Sequence, residues 1–255
     1  MLKPSFLGLI FFSVLGSGRD GCAFTLSSSN DPSLQGWANH TVTFALNPTG
    51  CPAGIVRSLT DAMAVWNGVA NSDLSVSLGG VSSAGYAQFS AGLSPDAALI
   101  FCDSNFAADA GPAGRGRLAM GHVTPPPPGG HVAAAYVMIN VDPGSTENAF
   151  NADPTKLEIA LARELGRALG LGPSADVNAL MYGSIAAKTQ LRLGQDDLDG
   201  IAYLYPRNDA RQAGCGRVAG PGSAWGLGLL VMMIPIVVVG GLRRTRFHGL
   251  VIGRR

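Results

Sequence analysis

Residues 163–173 read Arg-Glu-Leu-Gly-Arg-Ala-Leu-Gly-Leu-Gly-Pro, and this stretch decides how the chain is interpreted. It closes a segment that has Asp153 as a plausible N-cap and Pro154 at the first helical position. Apolar residues at helical spacing give this segment one stripe, formed by Leu157, Leu161, Ala168 and Leu169. A helix is therefore predicted to end at Gly170, where glycine adopts a left-handed C-cap at little cost.

The chain around this helix alternates between strand and helix patterns, which predicts an α/β (α+β) domain. β-Branched and aromatic residues predict strands at 41–46, 74–78, 98–102, 118–123 and 133–140. Apolar residues at helical spacing after Pro52 predict a long amphipathic helix that ends near Asn71. Residues 111–116 are expected to form a loop, and residues 196–205 a short helix.

The spacing within residues 163–173 resembles the zinc site of the metzincin peptidases, which reads His-Glu-x-x-His-x-x-Gly-x-x-His. Glu164 and Gly170 stand at their matching positions. The three positions of the zinc-binding histidines hold Arg163, Arg167 and Pro173.

Further motifs in the same order resemble the matrixin branch of the metzincins. Residues 179–182, Ala-Leu-Met-Tyr, resemble the turn beneath the zinc site, with Met181 as its methionine. Three other segments resemble the first helix of matrixins, the strand before the active-site helix and the closing helix, at 60–67, 135–140 and 196–206. The resemblance runs from about Trp37 to Pro206. It implies a twisted mixed sheet of about five strands with two long helices and a C-terminal helix.

The three substitutions remove the groups that would bind zinc. Zinc in proteins is bound by neutral His, deprotonated Cys or carboxylate, whereas arginine offers no lone pair and the proline side chain no donor atom. The resemblance implies a zinc cofactor, but we expect none, because Glu164 alone cannot form a tight site. Glu164 matches the general base of the family and is expected to be vestigial without a zinc-polarised water. Its expected partners are Arg163, Arg167 or Arg192.

Two histidines and two cysteines are further candidate site residues. His122 and His131 lie where matrixins often carry a structural zinc, but they lack the His-x-Asp spacing of that site. Solvated loop histidines are the favoured interpretation, and a structural metal is the alternative. Cys51 and Cys102 lie inside the predicted domain and are expected to form a disulfide, which an exported context permits.

The expected function is that of a catalytically inactive pseudopeptidase that binds a peptide or protein. In folds of this kind a peptide adds to an edge strand beside the cleft, and residues 118–123 are the candidate edge. Arg163 and Arg167 are candidate ligands for a carboxylate of such a peptide. One alternative is an active metalloendopeptidase with an atypical metal site, and another is a structural domain without a ligand.

The two ends of the chain predict export and a membrane-associated location outside the cytoplasm. Lys3 and the apolar residues 6–15 are typical of a signal peptide. The C-terminal part resembles tripartite sorting signals of bacterial surface proteins, whose helix is removed after export; a plain single-span anchor is the alternative. The chain is thus predicted to begin with a signal peptide at 1–23, followed by the matrixin-like domain at 24–206. A Gly-rich linker at 207–224, a membrane or sorting helix at 225–242 and a basic cytoplasmic tail at 243–255 complete it. A net charge of +1 gives no indication of nucleic-acid binding.

Overall fold

A five-stranded mixed sheet forms the centre of the fold in the computed structural model, which describes residues 24–27, 34–91, 97–124 and 130–207. The strands are β1 Gln35–Trp37, β2 Thr41–Asn47, β3 Ser75–Val81, β4 Ala97–Asp103, β5 Ala119–Val123, β6 His131–Val132 and β7 Ala134–Asn140. The five-stranded sheet has the order β3-β2-β4-β7-β5, with only β5 antiparallel to its neighbour. The predicted mixed sheet of about five strands is thus confirmed, while the short parallel pair β1 and β6 was not predicted.

Six helices accompany these strands in the part of the chain that the structure describes. They are α1 Ile55–Asn67, α2 Tyr86–Ser90, α3 Phe106–Asp109, α4 Gly111–Gly114, α5 Pro154–Ala168 and α6 Gln195–Leu204. The prediction that α1 extends to about Asn71 is wrong. The helix ends at Asn67, because the side chain of Asn67 bonds both the N–H and the carbonyl of Val76 in β3. The predicted loop at 111–116 is also wrong in part, because it contains the single turn α4.

Helix α5 begins and ends where its sequence predicts. The carboxylate of Asp153 accepts a hydrogen bond from the N–H of Lys156 at 3.1 Å, which satisfies a free donor of the first turn. Gly170 adopts a φ of 106°, and the N–H of Leu171 bonds the carbonyl of Gly166 beyond the last turn. The helix packs against α1, β5 and β7, and the indole N–H of Trp66 donates to the carbonyl of Ala162 at 2.9 Å.

An N-terminal segment, residues 24–27, lies along the loop that follows α5. Leu26 forms an antiparallel bridge with Leu171, and the N–H of Gly172 bonds the carbonyl of Thr25 at 2.8 Å. The hydroxyl of Thr25 donates to the carbonyl of Pro173. The backbone of the loop is thereby fixed by a segment far away in sequence.

Cys51 and Cys102 form a disulfide between the turn after β2 and strand β4, with their Cα atoms 5.3 Å apart. Since β2 and β4 are neighbours in the sheet, the covalent link reinforces a contact that the sheet already makes. Cys22 and Cys215 lie outside the described residues.

None of the helices in the described residues combines the length and the apolar character that a membrane span requires. The predicted signal peptide at 1–23, the helix at 225–242 and the basic tail at 243–255 lie outside the residues that the structure describes, as does the linker at 208–224.

Candidate functional site

The side chain of Glu164 in α5 lies at the centre of the candidate site and is 2% exposed. Arg163 donates from Nη1 to Oε1 at 2.8 Å, and the N–H of Gly121 in β5 donates to Oε2 at 2.9 Å. Arg167 Nε lies 3.1 Å from Oε2, and Arg117 Nη1 lies 3.7 Å from Oε1. Three guanidinium groups therefore surround one carboxylate, and the cluster has a formal charge of +2.

The members of this cluster differ in how firmly they are held. Arg163 also donates from Nε to the carbonyl of Tyr182 and from Nη2 to the carbonyl of Gly183, each at 3.2 Å. Burial lowers the pKa of Arg163, whereas the charge of Glu164 acts in the opposite direction. The Nε of Arg167 is near enough for an ion pair, but it is not aligned for a hydrogen bond with any described residue. Arg163 is thus held by hydrogen bonds to internal partners, whereas the Nε of Arg167 is held by its ion pair with Glu164.

Gly121 allows β5 to run directly against helix α5. A Cβ at this position would collide with the carbonyl oxygen of Glu164, so only glycine permits this approach. The sequence analysis identified 118–123 as an edge strand but missed the role of Gly121. A glycine inside an apolar strand was the signal that could have revealed it.

Met181 lies beneath α5 in a turn that a second buried carboxylate holds. Asp197 in α6 accepts hydrogen bonds from the N–H groups of Leu180 at 2.5 Å, Met181 at 3.0 Å and Gly194 at 2.7 Å. Burial raises the pKa of Asp197, and the three backbone N–H groups act in the opposite direction. A Cβ at Gly166 would lie only 2.7 Å from the sulfur of Met181, so the turn and the helix are in close contact.

The residues at the three ligand positions do not fit zinc. Arg163 and Arg167 direct their guanidinium groups at Glu164, and a cation there would be repelled by both. Pro173 offers only its backbone carbonyl, which accepts the hydroxyl of Thr25. Nowhere in the described ranges do three or more His, Cys, Asp or Glu side chains form a group that could hold a metal ion.

The two candidate histidines lie in separate surroundings. His122 packs edge-on against Phe89, with ring centroids 5.8 Å apart, and lies 5.5 Å from the ring of Tyr136; burial lowers its pKa. His131 places Nδ1 2.9 Å from the carbonyl oxygen of Gly36. Both histidine side chains are exposed, as expected, but His122 lies in β5 and His131 in β6, so the prediction that they lie in loops is wrong.

A cavity of about 270 Å³ adjoins the Glu164 cluster. It is lined by Arg115, Gly116, Arg117, Leu118, Ala119, Glu147, Lys156, Ala160, Arg163, Glu164, Gly183, Ser184, Ile185 and Ala186. Arg192, expected to pair with Glu164, instead lines a separate depression with Tyr182, and Arg117 is the third partner of Glu164. Arg117 could not be predicted as a partner of Glu164, because it lies in the loop before β5, far from Glu164 in sequence.

Comparison with known proteins finds similarity to matrixins over the part of the chain that contains this site. The family model Matrixin matches residues 88–206. Metalloendoproteinase 1 of Glycine max is 49% identical over 53 residues, which are 20% of this chain and 17% of that protein. Interstitial collagenase of Oryctolagus cuniculus is 48% identical over 44 residues, 17% of this chain and 9% of that protein. Stromelysin-1 of Rattus norvegicus is 48% identical over 54 residues, 20% of this chain and 11% of that protein.

The matched stretches span only 9% to 17% of these relatives' own length. The family model nevertheless covers Glu164, the turn at Met181 and the helix that carries Asp197. The candidate site therefore lies in a matrixin-like peptidase domain whose three zinc-ligand positions hold Arg163, Arg167 and Pro173.

Proposed function

We propose that this matrixin-like domain is a catalytically inactive pseudopeptidase that binds a peptide or protein in the cleft beside β5. The observation that carries the proposal is the surrounding of Glu164. Its carboxylate, at the general-base position, is engaged by Arg163 and by the N–H of Gly121. A base needs a free lone pair and an activated water, and neither the guanidinium groups nor Pro173 can polarise a water as a metal does.

Binding of an extended peptide is supported by the position of β5. This strand pairs with β7 on one side and is the last strand of the five-stranded sheet in the described residues. An edge strand offers backbone donors and acceptors to a further strand, and side-chain pockets beside it supply specificity. The cavity of about 270 Å³ beside Leu118 and Ala119 is such a pocket.

An exported, surface-associated location completes the proposal. The Cys51–Cys102 disulfide supports it, since disulfides persist in oxidising compartments. Residues 225–242 form an apolar run that is followed by arginines, and they would attach the chain to the membrane from the outside or direct its processing and release.

Zinc content tests the inactive site. The full chain, purified in mild detergent without chelators, is expected to hold less than about a tenth of an equivalent of zinc, because a structural or catalytic site would hold close to one. The matched positive control is the triple variant Arg163→His, Arg167→His and Pro173→His, which keeps Glu164 and restores the family's ligand pattern. It is expected to bind about one zinc per chain if circular dichroism shows an intact fold.

Stoichiometric zinc in the unmodified chain would overturn the proposal and favour the alternative, an active metalloendopeptidase with an atypical metal site. Cleavage of an unfolded protein substrate would then be compared between the chain and its Glu164→Ala variant. Equal turnover of the two would exclude Glu164 as the base.

A further inference from the structure

We infer that the cavity beside Glu164 selects an acidic side chain, Asp or Glu, of the bound peptide. This inference rests on the proposed peptide binding and adds the chemical class of the ligand. The cavity is named here the basic cavity, defined by Arg115, Arg117, Lys156, Leu118 and Ala119 together with Glu147, Arg163 and Glu164.

The charge of the lining is the first argument. Four cationic side chains (Arg115, Arg117, Lys156, Arg163) and two anionic side chains (Glu147, Glu164) line the cavity, so its formal charge is +2. The entire chain carries only +1, and Arg167 adds a further positive charge next to Glu164. A concave site with an excess of one charge sign concentrates ligands of the opposite sign.

The freedom of three of these cations is the second argument. Arg115 and Lys156 are exposed, and neither side chain forms an ion pair or hydrogen bond with a described residue. The Arg117 side chain is 36% exposed and lies 3.7 Å from Glu164, too far for a direct hydrogen bond. All three can turn to a ligand without breaking an internal hydrogen bond. Arg163 cannot, because each of its three guanidinium nitrogens already donates to an internal acceptor.

The position of the cavity relative to β5 is the third argument. Ala119 is the first residue of β5 and lines the cavity, as does Leu118 before it. A strand added to β5 presents alternate side chains to one face, so one of them is brought to the cavity. The buried residues Leu118, Ala119 and Ala160 form the apolar part of the lining and reduce the screening of the charges by water.

The cavity has room for a side chain of a bound peptide. Sites for drug-sized ligands have volumes of roughly 300–1,000 Å³, and this cavity, at about 270 Å³, is smaller. A carboxylate can accept two parallel N–H bonds from one guanidinium, which gives Arg117 or Arg115 a geometric preference for acidic residues over neutral ones.

Selection from an unbiased peptide library tests the inference. The full chain, immobilised in mild detergent, is exposed to phage that display random octapeptides fused at their C-termini, so that no free peptide carboxylate is present. We expect enriched sequences with Asp or Glu at one position within an extended apolar or β-branched context. The amidated synthetic form of an enriched peptide is then compared with its Glu→Gln counterpart, which should bind roughly tenfold more weakly, a difference of about 1.4 kcal/mol.

Variants of the chain test whether the basic cavity causes the preference for acidic peptides. Arg115→Gln, Arg117→Gln and Lys156→Gln together are expected to remove most of the preference for Glu over Gln while binding of the Gln peptide stays unchanged. The matched control is Arg57→Gln, whose side chain is 89% exposed on α1 and pairs only with Asp61. Urea unfolding of each variant confirms that folding is retained.

The outcomes separate this inference from the proposed function. Enriched peptides without an acidic preference, or equal affinity for the Glu and Gln peptides, would overturn the acidic selectivity and leave peptide binding standing. No enrichment of any peptide would overturn peptide binding itself, and the selectivity with it. A preference for Glu that survives in the Arg115→Gln, Arg117→Gln, Lys156→Gln variant would assign it to a different surface and overturn the role of the basic cavity.

Discussion

Asp197 and Glu164 are both carboxylates buried in the matrixin-like domain, yet their partners are of different kinds. Asp197 is 1% exposed and accepts hydrogen bonds from three neutral backbone N–H groups. Glu164 is 2% exposed and accepts one backbone N–H, while its other close partners are guanidinium groups of Arg163, Arg167 and Arg117.

The difference indicates which part of the site is affected by the residues at the three zinc-ligand positions. The bonds of Asp197 join α6 to the turn at Met181 and involve no ligand position, so they persist with any residue at 163 or 167. Glu164 would face a metal ion in a zinc-binding relative, and here its negative charge is balanced by cationic side chains. The turn at Met181 is therefore stabilised by hydrogen bonds from backbone N–H groups, whereas the carboxylate of Glu164 is stabilised mainly by ion pairs.

The largest effect is expected when the carboxylate of Asp197 is removed. Asp197→Ala leaves three buried N–H groups without an acceptor, and each unsatisfied group costs about 1–3 kcal/mol, so we expect a loss of roughly 4 kcal/mol. The free energy of unfolding in urea measures this loss. Asp199→Ala is the control, because Asp199 lies two residues further on in α6, is exposed and accepts only from Gln195. Equal losses in the two variants would show that Asp197 does not hold the turn.

A smaller loss is expected when Glu164 loses its charge. Glu164→Gln keeps the shape but leaves the buried guanidinium of Arg163 without a counter-charge, which we expect to cost about 2–3 kcal/mol. Glu158→Gln in the same helix makes the same chemical change at a residue without an ion pair among the described residues, and it should change the free energy of unfolding by less than about 0.5 kcal/mol.

A double variant sharpens this test. Adding Arg163→Met to Glu164→Gln removes the unpaired cation, so part of the lost stability should return. If the double variant is less stable than Glu164→Gln, the hydrogen bonds of Arg163 to Tyr182 and Gly183 contribute more than the ion pair.

The pH dependence of stability tests how the surroundings of Asp197 affect its carboxyl group. Burial raises the pKa of folded Asp197 above its ordinary value, so the folded chain binds this proton more readily than the unfolded chain. The contribution of Asp197 to the free energy of unfolding is then greatest below the unfolded pKa and falls as the pH rises through the folded pKa. The difference in stability between the chain and Asp197→Asn should therefore shrink as the pH rises above about 4, the ordinary pKa of an aspartate. A difference that widens would mean that the three N–H bonds outweigh burial.

The smallest effect on stability is expected when Arg117, the partly exposed cation beside Glu164, is replaced. Arg117→Gln should change the free energy of unfolding by less than about 0.5 kcal/mol, because a partly exposed pair is screened by water. A loss as large as that of Glu164→Gln would show that Arg117 is required to balance the buried carboxylate, and it would then be unavailable to a ligand.

The elements that depend on local sequence were the most predictable. Asp153, Pro154 and Gly170 determine the ends of α5 through interactions within a few residues, so its bounds follow from the sequence. The end of α1 does not, because Asn67 bonds to β3, which is formed by a later segment. Helices α2, α3 and α4 have only four or five residues, too few to show a helical period.

In the candidate site too, contacts between residues close in sequence were more predictable than contacts between distant ones. Arg167 lies three residues after Glu164 on the same helix, so its approach to the carboxylate follows from helical spacing. Arg163 is adjacent to Glu164, and neighbouring residues on a helix do not face each other, so its hydrogen bond to Glu164 does not follow from spacing. Arg117 and Gly121 reach Glu164 from β5 and the loop before it, and the Gly121 contact spans 43 residues of sequence. Arg192 was expected beside Glu164 on charge alone, and charge does not specify position.

The Cys51–Cys102 disulfide has a consequence for the integrity of the chain. It closes a loop with a sequence separation of 51 residues that includes α1, β3 and α2. In the chain-entropy view, a loop of this length stabilises the folded state by about 4 kcal/mol. Because the loop is covalently closed, a single cut by a protease between residues 52 and 101 would leave both fragments joined. Helix α5 and the basic cavity lie outside this loop, so a protease could cut the loop without separating them from strands β1 and β2.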